Sequence, residues 1–410
     1  MNATGLWKRL VISRLTGLNA GQLTLIDGPQ LWTVGDGAGP AATIEVRDPR
    51  FYRAIALGGH LGAAEGYGQG WWSCPDLTAV IQLMARNRES IEGLERGPAR
   101  LLIPVRRLAL WFSRNTRQGS RKNITAHYDL GNEFFAAFLD DTLTYSAGIF
   151  EDPEASMREA SIAKYDRLCR KLDLQPQDRV IEIGSGWGGF AIYAAATYGC
   201  QVTTTTISAE QHQLALARVT AAGLADRVSV LFQDYRDLTG TFDKLVSIEM
   251  IEAVGHEFYQ DYFATCARLL TDDGMAAIQA ITIQDRFYDS ARREMDFIKR
   301  YIFPGSCIPS ISTLAWAARD TPLRMVQLED LTPHYAETLA RWRMAFELNW
   351  SRIAAMGFDD EFRRLWRFYF CYCEGGFREA VIGSVQLIFA MPRAMTHVEA
   401  GAVMPVRVAA

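Results

Sequence analysis

The sequence has few of the side chains that build metal centres or disulfide frameworks. Its 410 residues include seven cysteines and six histidines, and no two cysteines form a C-x-x-C pair. Scattered cysteines in an odd number are typical of free thiols in a reducing compartment, and their spacing matches no zinc site. We therefore expect neither a metal cofactor nor a disulfide network.

Long apolar runs are also missing. No stretch approaches the roughly 18 residues that cross a bilayer. The first residues, MNATGLWKRLVISRL, lack the apolar core and cleavage site of a signal peptide. We expect a cytoplasmic protein that is soluble or bound peripherally to the inner face of the membrane.

Charge is distributed unevenly, although the net charge is only −4. Residues 1–125 hold 16 Lys and Arg against 9 Asp and Glu, whereas the remainder holds 27 against 38. A basic front on an acidic body indicates contact with an anionic surface, either a membrane or nucleic acid. Residues 86–122 interleave large apolar side chains with many arginines, which suits a solvated linker or a segment lying at a lipid surface.

Strands and helices alternate between residues 176 and 283. The predicted strands are RVIEIG, QVTTTTIS, VSVLFQ, FDKLVSIEM and MAAIQAITI. This order predicts an α/β fold with a doubly wound, Rossmann-like parallel sheet. Aromatic helices follow, predicted at 289–302, 313–319, 336–356 and 360–374, and VIGSVQLIFAMP is predicted as the last strand. Short strands and helices before residue 90 predict a small N-terminal α+β domain, with domain bounds of 1–120 and 121–400.

A glycine-rich turn lies in VIEIGSGWGG, between a predicted strand and a helix. Gly184, Gly186 and Gly189 fit the dinucleotide pattern G-x-G-x-x-G. A nucleotide site would also want an acidic residue about 20 positions later for the ribose. Thr205 and Thr206 stand there instead, which disfavours a nicotinamide or flavin nucleotide.

The residue before the turn indicates another ligand. Glu182 with Gly184, Gly186 and Gly188 gives E-x-G-x-G-x-G, the form taken in S-adenosylmethionine-dependent methyltransferases. There the glycines admit the amino-acid end of the ligand, and the carboxylate complements its ammonium and sulfonium charges. Asp234 follows the strand VSVLFQ, where the adenine amine needs an acceptor. Together these features predict that S-adenosylmethionine binds here.

Several longer stretches resemble one family, the cyclopropane-fatty-acyl-phospholipid synthases and the related mycolic acid methyltransferases. They are NITAHYDLGNEFFAAFLDDTLTYSAGIFE (123–151), TTTTISAEQ, SIEMIEAVG, PHYAETLARW (333–342) and CEGGFREAVIGSVQLIF. The resemblance covers nearly everything from 120 to 390. It implies methyl transfer to the double bond of an unsaturated phospholipid acyl chain, with bicarbonate taking the final proton. The basic front is similar to the extra N-terminal domain of the bacterial synthases, and implies contact with an anionic membrane surface or a homodimer, without nucleic acid.

The resemblance also implies which residues form the site. Those expected around S-adenosylmethionine are Tyr128, Tyr145, Ser146, Glu182, Gly184, Gly186, Thr206, Gln211 and Asp234. Those expected around bicarbonate are Glu252, Tyr335, Gln279 and the backbone N–H of Ile281. Glu249, three residues before Glu252, competes with it for ligand contact.

Three positions depart from the family pattern. Ala147 stands where the synthases carry cysteine, and Gln279 stands where they carry histidine; Ala253 also replaces a histidine. The N–H of residue 147 and the amide of Gln279 can still donate hydrogen bonds to a carbonate. Proton removal is therefore expected to survive, while ring closure is left open.

Three hypotheses follow: a cyclopropane synthase, a methyltransferase that yields a methyl-branched chain, and a non-catalytic lipid-binding or ligand-binding module. Glu182, Asp234, Glu252 and Tyr335 speak against the third, and the ring is favoured as the commoner outcome among two-domain relatives. Either enzyme makes a carbocation, which must be kept from water in an apolar, aromatic tunnel. The candidates for its walls are Phe346, Trp350, Trp366, Tyr369 and Phe370.

Overall fold

The computed structural model describes residues 3–88, 115–116, 119 and 130–394. Tyr128 and nearly all of the basic segment, including Arg106, Arg107 and Arg114, lie outside the described residues. Within the described ranges, no helix is long and apolar enough to cross a membrane.

The N-terminal part contains a small mixed sheet with strand order β2-β1-β3-β4. Its strands are β1 (Gln22–Asp27), β2 (Gln30–Gly35), β3 (Ala41–Val46) and β4 (Trp72–Ser73). β1 and β2 form an antiparallel hairpin, whereas β3 lies parallel to β1. Alternate residues of β1 and β3 are buried, as expected for strands with one face on a core. The accompanying helices are Ala3–Leu15, Arg50–Gly68 and Leu77–Arg86.

The larger part is built on a seven-stranded sheet with order β10-β11-β9-β8-β5-β6-β7. Its strands are β5 (Arg179–Ile183), β6 (Gln201–Thr206), β7 (Val228–Phe232), β8 (Phe242–Ile248), β9 (Leu270–Ile283), β10 (Arg324–Asp330) and β11 (Ile382–Ala390). The five strands from β9 to β7 are parallel. β5 is buried along four of its five residues, as expected for a central parallel strand. The predicted doubly wound α/β fold is confirmed.

Helices connect these strands and cover the sheet. The α-helices are Asn132–Phe135, Met157–Lys171, Gly189–Tyr198, Ala209–Ala221, Tyr259–Leu269, Asp285–Ala291, Ile311–Ala318, Thr332–Leu348, Trp350–Ala355 and Asp360–Arg378. A π-helix spans Ile298–Ile302, and 3₁₀ turns span Tyr235–Asp237, Ile251–Ala253 and His256–Phe258. Met157–Lys171 begins with a reciprocal capping box between Ser156 and Glu159.

Some sequence predictions need correction. The helix predicted at 289–302 is two pieces, because the chain leaves the helix after Ala291 and resumes as the short π-helix. The helix predicted at 336–356 is interrupted at Asn349. β10 was not predicted, because its residues are mostly exposed and alternate poorly. The last strand, β11, runs antiparallel between β9 and β10.

The N-terminal part packs against the helix Asp360–Arg378. One cluster of buried apolar side chains includes Leu25, Ile44 and Phe51 together with Trp366 and Phe368. Polar contacts cross the same boundary, since Thr78 donates to Glu374 at 3.1 Å in a buried contact and Arg86 pairs with Glu379 at 2.6 Å at the surface. The two sheets are therefore held by a continuous core.

Candidate functional site

A cavity of about 610 Å³ lies where the parallel strands of the large sheet end. Open α/β sheets bind ligands at this edge. Eleven of the predicted site residues line it: Tyr145, Ser146, Glu182, Gly184, Gly186, Thr206, Gln211, Asp234, Glu252, Ile281 and Tyr335. Gln279 lies behind this wall, fully buried. The N-terminal part contributes further apolar wall, including Leu15, Ile44, Phe51, Ile55 and Trp72.

The glycine turn follows β5 directly. Gly184, Gly186 and Gly188 have φ of 97°, 50° and 83°, a region that L side chains rarely adopt. A Cβ added to Gly186 would meet no protein atom within 4 Å, so this position faces open space. The turn ends where the helix Gly189–Tyr198 begins. It therefore leaves room for a ligand to approach the backbone closely.

Glu182 is buried at the end of β5. Its Oε2 accepts a hydrogen bond from Thr204 at 2.6 Å. Burial raises the pKa of Glu182 to about 8, although the Thr204 bond and the charge of Lys164 oppose the shift. A bound cation would favour the ionised form, which suits the predicted contact with a sulfonium ligand.

Two further predicted site residues, Thr206 and Gln211, contact each other. Thr206 ends β6 and donates its hydroxyl to Oε1 of Gln211 at 2.9 Å.

Asp234 follows β7, where Arg236 donates to both of its carboxylate oxygens, at 2.8 and 2.6 Å. The predicted acceptor for an adenine amine is thus already ion-paired, and a ligand would share Asp234 with Arg236.

Tyr145 and Ser146 also line the cavity. Tyr145 donates its hydroxyl to that of Tyr369 at 2.9 Å. The Ser146 hydroxyl accepts a hydrogen bond from Lys164 at 2.6 Å. Lys164 is fully buried, and this burial lowers its pKa to about 8 while Glu249, Asp140 and Glu182 oppose the shift. No motif in the sequence singled out Lys164.

Glu249 lies at the centre of the polar contacts after β8. Its Oε1 accepts hydrogen bonds from the N–H of Ala147 at 2.9 Å and from Gln279 at 2.8 Å. Its Oε2 accepts one from the hydroxyl of Tyr335 at 2.6 Å. Burial raises the pKa of Glu249, and these three donors oppose the shift. The carboxylate is therefore well supplied with donors.

Glu252 has a different environment. Its Oε1 accepts a hydrogen bond from the N–H of Ile281 at 2.5 Å, whereas its buried Oε2 has no hydrogen-bond partner among the described residues. Burial, with a smaller contribution from the charge of Glu249, raises the pKa of Glu252 to about 8. Near neutral pH this carboxyl is mostly protonated.

These contacts change the predicted bicarbonate site. The prediction placed Tyr335 and Gln279 on the same ion as Glu252, but both donate to Glu249 instead. The N–H of Ile281 donates directly to Glu252. Since these donors already bind protein carboxyl groups, a bicarbonate ion does not fit among them.

The aromatic wall also differs from the prediction. Tyr369 lines the cavity, but Phe346, Trp350, Trp366 and Phe370 pack in the apolar core beside it. The aromatic side chains that do face the cavity include Phe303, Phe368, Tyr372 and Phe377. In the described ranges, no cluster of His, Cys, Asp and Glu is arranged to hold a metal ion.

The sequence of this chain matches known proteins over most of its length. Residues 115–387 match the family model described as mycolic acid cyclopropane synthetase. The tuberculostearic acid methyltransferase of Mycobacterium tuberculosis is 39% identical over 342 residues, covering 82% of this chain and 79% of that protein. The cyclopropane-fatty-acyl-phospholipid synthase of Escherichia coli is 34% identical over 359 residues, covering 86% and 89%.

Solved structures of cyclopropane synthases are similar to this chain in fold. A cyclopropane synthase from Mycobacterium tuberculosis has a TM-score of 0.62 at 30% identity, covering 66% of this chain and 98% of that chain. A mycolic acid cyclopropane synthase complexed with SAH and CTAB also has a TM-score of 0.62, at 31% identity and the same coverage. SAH is the demethylated product of S-adenosylmethionine.

Proposed function

Since this chain belongs to the mycolic acid cyclopropane synthetase family and is an S-adenosylmethionine-dependent methyltransferase of fatty acyl chains, we propose that it converts unsaturated phospholipid acyl chains into cyclopropane fatty acids. The observation that carries this proposal is the shared cavity of about 610 Å³. This cavity is lined by the glycine turn, by the carboxyl groups of Glu249 and Glu252, and by an apolar wall.

S-adenosylmethionine supplies a methyl group on a positively charged sulfur. We assign its methionine end to Gly184 and Gly186, because the turn is open there. We assign Glu182 to its cationic groups and Thr206 with Gln211 to its ribose. Asp234 would accept from the adenine amine, and Tyr145 and Ser146, with Tyr128 outside the described residues, would close the opposite side.

The acyl chain would occupy the rest of the cavity. An alkene is a weak nucleophile, so its attack on the methyl group leaves a carbocation that water would trap. The walls near the carboxyl pair are apolar and aromatic, with Phe303, Tyr369 and Phe377 among them. This environment excludes water and offers ring faces to a cation.

The N-terminal domain, proposed as residues 1–120, would serve the lipid side of the reaction. Ile44, Phe51 and Ile55 extend the cavity away from the glycine turn, as a long chain requires. We further propose that its basic segment associates peripherally with an anionic membrane surface, where phospholipid substrates reside. A contact between two copies of the chain is the alternative role for this segment.

A methyl-branched product is the second candidate. Ala147 and Gln279 replace the family cysteine and histidine beside the reacting centre. The relative at 39% identity is named as a methyltransferase rather than as a cyclopropane synthase. Both products share the methyl transfer and differ in which proton the cation then loses.

The test is expression in a bacterial host that lacks cyclopropane lipids, followed by gas chromatography and mass spectrometry of its fatty acids. We expect acyl chains that gain one CH₂ as a ring. A gain of one CH₂ as a branch would support the second candidate. No gain, with folded protein present, would overturn both.

A further inference from the structure

Glu249 has an unusual backbone conformation for a glutamate. It directly follows β8 with φ of 49°, in the left-handed region that favours glycine. Such a conformation is strained for a residue with a Cβ and persists where the surroundings impose it. Its backbone N–H donates to the carbonyl of Gln279 at 2.8 Å, which fixes the residue against β9.

The carboxylate of Glu249 uses donors from three separate elements. Ala147 lies in the loop before the helix Met157–Lys171, Gln279 lies on β9, and Tyr335 lies on the helix Thr332–Leu348. A carboxylate has about four acceptor positions on its two oxygens. Three are used here, and Glu249 also lines the cavity, so an acceptor position remains for substrate.

The donors are themselves held in place. The Gln279 amide oxygen accepts from Gln386 at 3.0 Å, and Gln386 accepts from Lys171 at 2.7 Å. This series of hydrogen bonds directs the amide NH₂ of Gln279 towards Glu249. The ring of Tyr335 stacks on Phe377 with centroids 4.5 Å apart. The site is thus organised around the carboxylate rather than around a diffusible ion.

The neighbouring carboxyl group, that of Glu252, does not compete with Glu249 as a proton acceptor. Among the described residues, the Glu252 carboxyl accepts one hydrogen bond, from Ile281, and its other oxygen has no partner; burial raises its pKa to about 8. Two close carboxyl groups in different environments commonly divide into one ionised and one protonated member. The three donors to Glu249 favour its ionised form.

We propose that the Glu249 carboxylate is the base that takes the proton from the methylated cation, in the position where the resemblance had implied bicarbonate. Bicarbonate and a carboxylate present the same planar pair of oxygens with one negative charge. The donors that would orient the ion instead orient the side chain. This inference rests on the proposed methyl transfer to an alkene.

The π pair of the double bond forms the new C–C bond, and the methyl–sulfur bond breaks with its electron pair remaining on sulfur. The adjacent carbon becomes the cation. An oxygen of Glu249 then takes a proton from the new methyl group, and the released C–H pair closes the ring. Loss of a chain proton to the same oxygen would give a methyl-branched alkene, and Glu249 returns its proton to water after product release.

The test uses the purified full-length enzyme with vesicles of an unsaturated phospholipid, in buffer depleted of carbon dioxide. We expect the wild type to turn over at the same rate with and without added bicarbonate. Glu249→Gln keeps the shape but removes the base, so its turnover should fall at least about 100-fold, the usual contribution of a general base. Asp272→Asn, which changes an exposed carboxylate on β9, is the matched control and should keep wild-type turnover.

Glu249→Gly provides the decisive second variant. Glycine suits the φ of 49°, and loss of the side chain frees the donors of Ala147, Gln279 and Tyr335. We expect this variant to be inactive alone and to regain activity with added bicarbonate, whereas Glu249→Gln should not be rescued. Calorimetric binding of S-adenosylmethionine would show that both variants are folded.

The outcomes separate this inference from the proposed function. An active wild type that requires bicarbonate, or a fully active Glu249→Gln, would overturn the assignment of the base and leave the methyl transfer intact. A wild type that binds S-adenosylmethionine but methylates no lipid would overturn the proposed function itself.

Discussion

Tyr335 and Glu249 are joined by a hydrogen bond of 2.6 Å between the phenol hydroxyl and Oε2 of the carboxylate. The bond connects the helix Thr332–Leu348 to the end of β8, and Tyr335 is buried. Burial, reinforced by the charge of Glu249, raises the pKa of Tyr335 well above its ordinary value. The phenol therefore stays protonated and donates across the working pH range.

Tyr335→Phe should lower turnover by roughly 10- to 100-fold, because a hydrogen bond to a charged group contributes about 1.5–3 kcal/mol. The ring can still stack on Phe377, so affinity for S-adenosylmethionine should not change. Steady-state kinetics and calorimetry measure the two quantities. Tyr198→Phe, which removes a tyrosine–carboxylate bond to Asp166, is the control and should leave turnover unchanged. Equal turnover in both variants would contradict the role of Tyr335.

Glu252 should make folding stability depend on pH. Its pKa is raised to about 8 in the folded chain, against 4.5 ordinarily, so the folded state retains a proton that the unfolded state loses. The stabilising contribution is complete below pH 4.5 and is lost as the pH rises towards 8. Each pH unit in this window changes the free energy of unfolding by at most about 1.4 kcal/mol.

Urea unfolding of the wild type and Glu252→Gln between pH 5 and 8.5 tests this. As the pH rises, the free energy of unfolding of the variant should increase relative to that of the wild type. Asp272→Asn, at an exposed carboxylate, should differ from the wild type by a constant amount. Parallel curves for wild type and Glu252→Gln would show that Glu252 ionises normally.

Gly186→Val should abolish binding of S-adenosylmethionine. A β-branched residue is strained at φ of 50°, and its side chain would occupy the open space beside the turn. Glu182→Ala should weaken the same binding by removing charge complementarity, and the wild type should not bind NAD. Isothermal calorimetry measures all three. Tighter binding of NAD than of S-adenosylmethionine would contradict the assigned ligand.

Ile55→Trp should shorten the acyl chains that the enzyme accepts. Ile55 lines the cavity from the N-terminal part, and a larger side chain there reduces the space for the end of the substrate. Overpacking costs about 1–3 kcal/mol, so the variant should remain folded. Competition between phospholipids of different chain length measures the preference. Leu31→Trp, at an exposed site, is the control, and an unchanged preference at Ile55 would place the acyl chain elsewhere.

Charge reversal at Arg106, Arg107 and Arg114 should weaken binding to anionic vesicles by about 1 kcal/mol per residue. Added salt should reduce the difference, because it screens exposed charges. Vesicle pelleting measures the bound fraction. Arg352→Glu, on the C-terminal part, should have no such effect. Equal pelleting of the wild type and triple variant would favour the solvated linker.

The sequence was sufficient to predict the large sheet because its central strands carry continuous apolar runs bounded by turns. Thr206, Gln211, Tyr145 and Ser146 were expected at the site only because of the family resemblance, and the structure places all four on the wall of one cavity. β10 was missed because an exposed edge strand has no strong apolar pattern. The break after Ala291 depends on packing between distant segments, which local periodicity does not encode.

The roles of Glu249 and Glu252 could not be separated from the sequence. The two glutamates are three residues apart, and only the structure shows that Ala147, Gln279 and Tyr335 all donate to Glu249. Lys164 gave no signal at all, because a buried lysine on a polar helix looks like a surface residue in the sequence. Such contacts join positions up to 102 residues apart, beyond the range of any spacing argument.

The apolar core that runs from Ile44 and Phe51 to Trp366 and Phe368 has a consequence for cooperativity. The sequence predicts a domain boundary near residue 120, but residues from both sides of that boundary form this core. Losing the first 88 residues would expose the aromatic face of the helix Asp360–Arg378 to water. The two sheets should therefore melt in a single transition, with a calorimetric enthalpy equal to the van't Hoff enthalpy.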